Sequence, residues 1–375
     1  MDWSPFVAAP LRSLMPYRPG ITEEKLRRDL GLSEIFKFSS NEAPLPPSPL
    51  VMKAMGDALA QSHRYPDTQD LVDRLSHHLR VPASHLMIGN GSIDLIASLV
   101  RACVSPQHNV VLSEFGYCAY PAFVKEQGAT VKLAASGRHF GHDADALLAQ
   151  VDARTRMMLI DSPTNLSGHA LDAARLRDLV ERVPAHVLLV LDEAYAEFAS
   201  DDALAFNAQL PLIHPRVVVT RTFSKAYGLA GLRVGYAIAD AGLIDWLNRI
   251  RPPFPVNRVG TAGAAAALDD RAHMECIVAR VREGRRTLVD ALGAMKIPVA
   301  DGSANFVLAD FGPAAPAVYE GLLARGLITR AMHAYRLPGH LRISVGTADE
   351  IGRLVAAIGE LKQPENLTHT TEEEA

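Results

Sequence analysis

Residues 220–236 read TRTFSKAYGLAGLRVGY. The valines just before them, Val217, Val218 and Val219, and the later run from Leu232 to Ile238 have the β-branched, apolar character of buried strands. A loop carrying Thr222, Ser224, Lys225 and Arg233 separates the two runs. Two hydroxyls, a primary amine and a guanidinium on one short loop make a cluster able to bind an anion and to act as a nucleophile. Loops held by a rigid sheet are where such chemistry tends to sit.

The chain on either side has the rhythm of an α/β protein. Short apolar runs, HLMIGN (85–90), NVVLSE (109–114), ATVKLAA (129–135), TRMMLIDS (155–162) and HVLLVLDEAY (186–195), alternate with helical stretches such as IDLIASLVRACV (93–104) and AARLRDLVERV (173–183). Continuous apolar strands separated by helices predict a parallel sheet covered on both faces. The prolines of RPPFPVN (251–257) interrupt this pattern. One long helix is expected beyond them, over TAGAAAALDDRAHMECIVARVREGRRTL (261–288), then shorter β and α pieces. The expected division is an N-terminal arm (1–36), a large domain (37–255), a smaller α+β C-terminal domain (256–363) and a disordered, nearly apolar-free tail (364–375). Within the arm, ITEEKLRRDLG (21–31) predicts a short helix ended by Gly31.

Composition narrows the function. The chain has 375 residues, 48% hydrophobic and 21% charged, and its net charge of −4 offers no electrostatic footprint for nucleic acid. Three scattered cysteines form neither a disulfide framework nor a zinc spacing, so no metal is expected. No signal peptide or membrane-spanning apolar run is evident, which predicts a soluble, cytoplasmic protein.

Polar residues follow several of the strands, where open parallel sheets bind ligands. Gly89, Asn90, Gly91 and Ser92 lie between a strand and a helix, where free backbone N–H groups suit a phosphate; by itself the segment is also an ordinary strand-to-helix turn. Asp192 ends an apolar strand, where burial is costly unless the carboxylate meets a cation or donors; a helix cap or a local ion pair would also serve. Asn165, in DSPTNLSG (161–168), offers an amide to a phenolate oxygen, although its neighbours are all turn formers. Taken together, the amine, the phosphate cup, the acid and the amide meet the needs of pyridoxal 5′-phosphate.

On these segments the chain resembles the fold-type I pyridoxal-phosphate aminotransferases, and within them the histidinol-phosphate aminotransferase family. PYRPG (16–20), FSSNEAPLPPSP (38–49), RYPD (64–67), GNGS (89–92), LDEAY (191–195), TFSKAYGLAGLRVGY (222–236), RPPFPVN (251–257) and HLRISVGT (340–347) carry the likeness nearly end to end. It implies a mostly parallel seven-stranded sheet in the large domain, and Lys225 as the residue that holds the cofactor covalently. By the same likeness Asp192 pairs with the pyridine nitrogen, Tyr195 and Asn165 bond the ring oxygen, and Tyr120 stacks on the ring. Thr222, Ser224, Arg233 and the segment Gly91, Ser92 and Ile93 hold the phosphate. Tyr65 reaches the partner subunit's cofactor in a homodimer with shared sites, while Arg342, Arg330, Tyr17 and Asn41 receive the substrate.

The chain also departs from that family. Leu166 stands where a proline follows the key asparagine, Phe115 where a proline is usual, and Ile93 where an acidic residue is favoured. No chemical group is lost by these changes. The expected activity is amino transfer from histidinol phosphate to 2-oxoglutarate. The alternatives are an aromatic or other amino acid as donor, or a decarboxylase on the same scaffold.

Overall fold

The computed structural model describes residues 1–16, 20–199, 201–300 and 302–362. Its centre is a seven-stranded sheet. The strands are Leu86–Gly89 (β1), Asn109–Ser113 (β2), Thr130–Ala134 (β3), Thr155–Asp161 (β4), Leu188–Asp192 (β5), Val217–Thr222 (β6) and Gly235–Ile238 (β7). They lie in the order β1-β7-β6-β5-β4-β2-β3. Every pairing is parallel except those of β7, which runs antiparallel to both neighbours. This is the mostly parallel seven-stranded sheet that the resemblance implies.

Alternate side chains of the central strands feed two separate cores, as the two-residue period of a strand requires. Val111, Met158, Leu189, Leu191 and Val219 join one core with Leu71 and Leu75. Val110, Leu112, Met157, Leu159, Val190 and Val218 join the other with Leu95 and Leu99. With both faces buried, the strands need no polar alternation, so the sequence shows them as continuous apolar runs.

A third core lies under a four-stranded antiparallel sheet built from Val299–Ala300, Phe306–Asp310, Arg330–Met332 and Leu337–Ser344. The arm is tied to this part. Phe36–Lys37 pairs with Leu327–Ile328, and Leu26 packs with Leu323 and Ile328. The arm's helix, Glu23–Leu30, starts on Thr22, whose hydroxyl accepts the Lys25 N–H, and ends at Gly31 with φ 69°.

The structure corrects the sequence reading in three places. The single long helix expected after residue 260 is two, Arg258–Asp269 and Arg271–Ala294, broken at Asp270, whose side chain caps the second. The first, read as part of the C-terminal domain, packs instead on the helix Pro49–Leu59, and its Ala264, Ala265 and Leu268 belong to the core of the large sheet. Its small residues allow this, since a Cβ on Gly263 would lie 2.8 Å from Leu232 Cδ1. The last strand of the large sheet starts at Gly235 rather than Leu232, because Ala230–Leu232 forms a helical turn that ends on Arg233 in the left-handed region. The helices Ala144–Ala149 and Asp201–Ile213 also pack against strands of the large sheet. The tail expected to be disordered, and Tyr17, lie outside the described residues. Among the described residues no helix is long and apolar enough to cross a membrane.

Candidate active site

The carboxyl ends of β4, β5 and β6, with the turn after β1, surround one cavity. Its lining includes Ser92, Ile93, Tyr117, Asp192, Lys225 and Arg233. At one end the turn from β1 enters the helix Ser92–Cys103 through Gly91, with φ 86° and ψ 165°. A Cβ there would stand 2.5 Å from Arg233 Nη2, and a Cβ on Gly235 would stand 2.5 Å from the Ser92 nitrogen. Only glycine lets these backbones and the guanidinium come together. The Thr222 hydroxyl donates to Ser224 Oγ at 2.9 Å, and Arg233 Nη1 donates to the same oxygen at 3.1 Å. Arg233 sits at φ 57°, which turns its side chain back toward the helix start. A guanidinium, two hydroxyls and the first N–H groups of a helix form a cup for a phosphate dianion.

At the centre Asp192 is buried. The Tyr120 hydroxyl donates to its Oδ2 at 2.8 Å and the Thr220 hydroxyl to its Oδ1 at 3.3 Å. Burial, with the neighbouring Asp161 carboxylate, pushes its pKa up to about 7 against the pull of those donors. A carboxylate so held would gain from a ring N–H⁺ placed against it. Asp161 stands beside it in register on β4, and its Oδ2 accepts the Asn165 backbone N–H at 2.6 Å. Behind Asp161, the buried His142 places Nε2 2.6 Å from its carbonyl oxygen.

Lys225 reaches the middle of the cavity, with Nζ donating to the Ser40 carbonyl at 3.1 Å and lying 5.5 Å from the Tyr195 ring centre. Burial first, then the charge of Arg342, pulls its pKa down to about 7, so its neutral, nucleophilic form is within reach near neutral pH. The Tyr195 hydroxyl accepts N–H groups from Asn165 Nδ2 at 2.7 Å and Asn41 Nδ2 at 2.9 Å. Both acceptor positions are taken, and its own proton is left to donate.

A second cavity of about 290 Å³ shares Tyr117, Asn165, Tyr195 and Lys225 with the first, which leaves room for a substrate directly beyond the amine. Arg330 and Arg342 line it from adjacent strands, opposite each other in register. Arg342 Nη1 donates to the Asn165 carbonyl at 2.6 Å and to its Oδ1 at 2.8 Å, while the buried Nε has no hydrogen-bond partner. A buried guanidinium nitrogen left in this state is open to a water or an anion.

Of the sequence-predicted residues, fourteen gather in or against these two cavities and one described residue, Tyr65, does not. Tyr65 is exposed and stacks on Phe254 with ring centres 4.4 Å apart, away from both cavities, and Tyr17 lies outside the described residues. One role changes. Tyr120 was expected to stack on a cofactor ring, but it is fully buried with its hydroxyl committed to Asp192. Tyr117 lines both cavities and packs edge-on to Tyr120, with ring centres 5.4 Å apart. EFGYCAY contains both tyrosines, and only burial separates them. Asp161, His142 and Tyr335 were not read as site residues: in DSPTNLSG only Asn165 was singled out, and His142 and Tyr335 lie in no such segment.

A sheet of this order, with a lysine, an acid and a phosphate cup at its strand ends, defines the scaffold of enzymes that move amino groups. The chain belongs to the aminotransferase class I and II family, whose model matches residues 33–358. It is an aminotransferase. Histidinol-phosphate aminotransferase 1 of Nitrosococcus oceani is 38% identical over 94% of this chain and 95% of its own length. Histidinol-phosphate aminotransferase 2 of Methylococcus capsulatus is 40% identical over 94% of this chain and 97% of its own. Among solved structures, histidinol-phosphate aminotransferase from Sinorhizobium meliloti in complex with pyridoxal 5′-phosphate superposes with a TM-score of 0.88, at 30% identity, covering 95% of this chain and 97% of that one.

Proposed function

We propose that this aminotransferase takes its amino group from histidinol phosphate and passes it to 2-oxoglutarate, in the cytoplasm and as a homodimer. It works with pyridoxal 5′-phosphate, which the donor set of the first cavity fits. That cofactor, when bound, supplies an electron sink for the pair released at the substrate carbon. The protein's part is to hold and to move protons. Arg233, Ser224, Thr222 and the helix start at Gly91, Ser92 and Ile93 receive the phosphate. Asp192 keeps a ring nitrogen protonated, with Tyr120 and Thr220 fixing its two oxygens. Tyr195 and Asn165 donate to the ring oxygen, and Tyr117 offers its face to the ring. Lys225 would hold the cofactor, and its Nζ, once freed, would be the base for the proton on the substrate's carbon.

The observation that carries the choice of donor is the pair Arg330 and Arg342, facing each other across adjacent strands beyond Lys225. Two guanidiniums match a phosphate dianion carried on the carbon next to the amine-bearing one. Histidinol phosphate has its anion there and no carboxylate beside the reacting carbon. The names of the similar proteins support the same reading. The test is kcat/KM for histidinol phosphate against phenylalanine, tyrosine and aliphatic amino acids. Histidinol phosphate should win, and Arg342→Ala should raise its KM steeply. A clear preference for a carboxylate-bearing donor rejects this substrate and leaves the aminotransferase in place.

The homodimer rests on a different feature. Tyr65 and Phe254 form a stacked aromatic pair that a single chain leaves exposed, on the segment that resembles a partner-reaching one. Sedimentation of the purified protein at twice the chain mass is the expected result, and a stable monomer with full activity would reject it.

A further inference from the structure

The Asn165 amide can be turned either way by rotation about its last bond, and only one orientation serves the site. With Nδ2 toward the Tyr195 hydroxyl, that hydroxyl keeps its own proton to donate into the cavity. Turned over, the amide would present Oδ1 and draw the proton away. What settles the orientation is the other side of the amide. Oδ1 receives the Tyr335 hydroxyl at 2.9 Å and Arg342 Nη1 at 2.8 Å. Arg342 can only donate, so the amide oxygen faces it, and the Tyr335 hydroxyl, which accepts the Cys118 N–H at 3.3 Å, gives its single proton to that oxygen. The result is a one-way chain of donors from the Cys118 backbone through Tyr335 to Asn165, and from Asn165 to Tyr195.

Tyr335 is itself held. It is buried in a cluster with Leu166, Leu308 and Met332, against which Phe115, Cys118 and Phe140 pack. Two of these, Leu166 and Phe115, are the residues that replace prolines of the resembling family. Arg342, the other donor to Oδ1, is also a proposed ligand of the substrate's anion, so Tyr335 is the donor dedicated to the amide. We propose that Tyr335 is a positioning residue: it acts through Asn165, fixing the amide nitrogen toward Tyr195, and the Leu166–Phe115–Met332 packing keeps it in place. This rests on the reading of the first cavity as the cofactor's, and not on the identity of the donor.

The test uses Tyr335→Phe, which keeps the ring and its packing, Asn165→Ala, and the two together. Three quantities are read: the dissociation constant of pyridoxal 5′-phosphate added to cofactor-free protein, the pH at which the visible band of the loaded protein changes, and the unfolding temperature of the cofactor-free protein. Tyr335→Phe should weaken cofactor binding about 3- to 10-fold, the scale of one lost neutral hydrogen bond, and displace the spectral midpoint. In the Asn165→Ala background the same substitution should change neither, because the amide it orients is gone. Equal effects in both backgrounds would overturn the proposal. So would unchanged binding and spectrum in Tyr335→Phe, or a loss explained wholly by a lower unfolding temperature. Failure of the wild-type protein to bind the cofactor at all would instead strike the reading of the cavity and take this proposal with it.

Discussion

Replacing Asp192 by asparagine should have opposite effects on the empty and the loaded protein. The carboxyl is buried, and its pKa is raised from an ordinary 3.8 to about 7. A raised folded-state pKa means the folded chain prefers the protonated form. That contribution to stability is fully present below pH 3.8 and is lost as pH rises through about 7. At about 1.4 kcal/mol per pH unit, the ionised form costs roughly 4 kcal/mol above pH 7, of which about 2 to 3 kcal/mol accrues between pH 5 and pH 8. Asparagine copies the neutral acid: its oxygen can still accept from Tyr120, and its NH₂ can face the Thr220 hydroxyl. Cofactor-free Asp192→Asn should therefore gain about 2 to 3 kcal/mol over wild type between pH 5 and pH 8, measured by chemical denaturation at both. With cofactor the sign reverses. The proposed partner of the ring N–H⁺ is gone, and turnover should fall roughly 10²-fold or more. A stability difference that is the same at both pH values would refute the electrostatic account of Asp192, and near-normal turnover would refute its pairing with the cofactor.

Lys225→Ala should abolish amino transfer while the phosphate cup still retains some cofactor. Turnover and the visible spectrum report the two separately, and full activity without added amine would be incompatible with a catalytic Lys225. Glu193→Ala should cost about 3 to 5 kcal/mol of stability by denaturation, because it leaves the Arg221 guanidinium buried without its partner at 2.7 Å. A loss below about 1 kcal/mol would mean that Arg221 finds another anion.

The sheet was legible because both faces of its strands are buried, so each strand is written as an unbroken apolar run. The lysine loop was legible because a strand's end must be followed by polar groups if it carries chemistry. The helix break at Asp270 was not, since alanines run up to it and a helical pattern resumes at once beyond it. Packing, not propensity, assigns Arg258–Asp269 to the large core, and small residues record only that something lies close. In the site, the groups named by motif came together at strand ends. Tyr117 was passed over beside Tyr120, because three residues of spacing do not reveal that the Tyr120 hydroxyl is spent on Asp192. Tyr335 was missed for a related reason: it acts by touching a residue distant in sequence, Asn165, 170 positions away.

The arginines proposed for the substrate and the groups proposed for the cofactor belong to different sheets with different cores. Arg330 and Arg342 stand on the antiparallel sheet, while Asp192 and Thr222 close strands of the parallel one, with Asn165 and Lys225 in the loops that follow. The two sets meet at few points, chiefly Asn165 with Arg342 and Tyr335. An enzyme divided in this way can change its diet without relearning its chemistry. Substitutions on the second sheet alter which amine is admitted, while the proton-handling groups keep their spacing, set by strands that those substitutions do not touch. The contact at Asn165 is the exception, and there a change of substrate is felt at once by the catalytic apparatus.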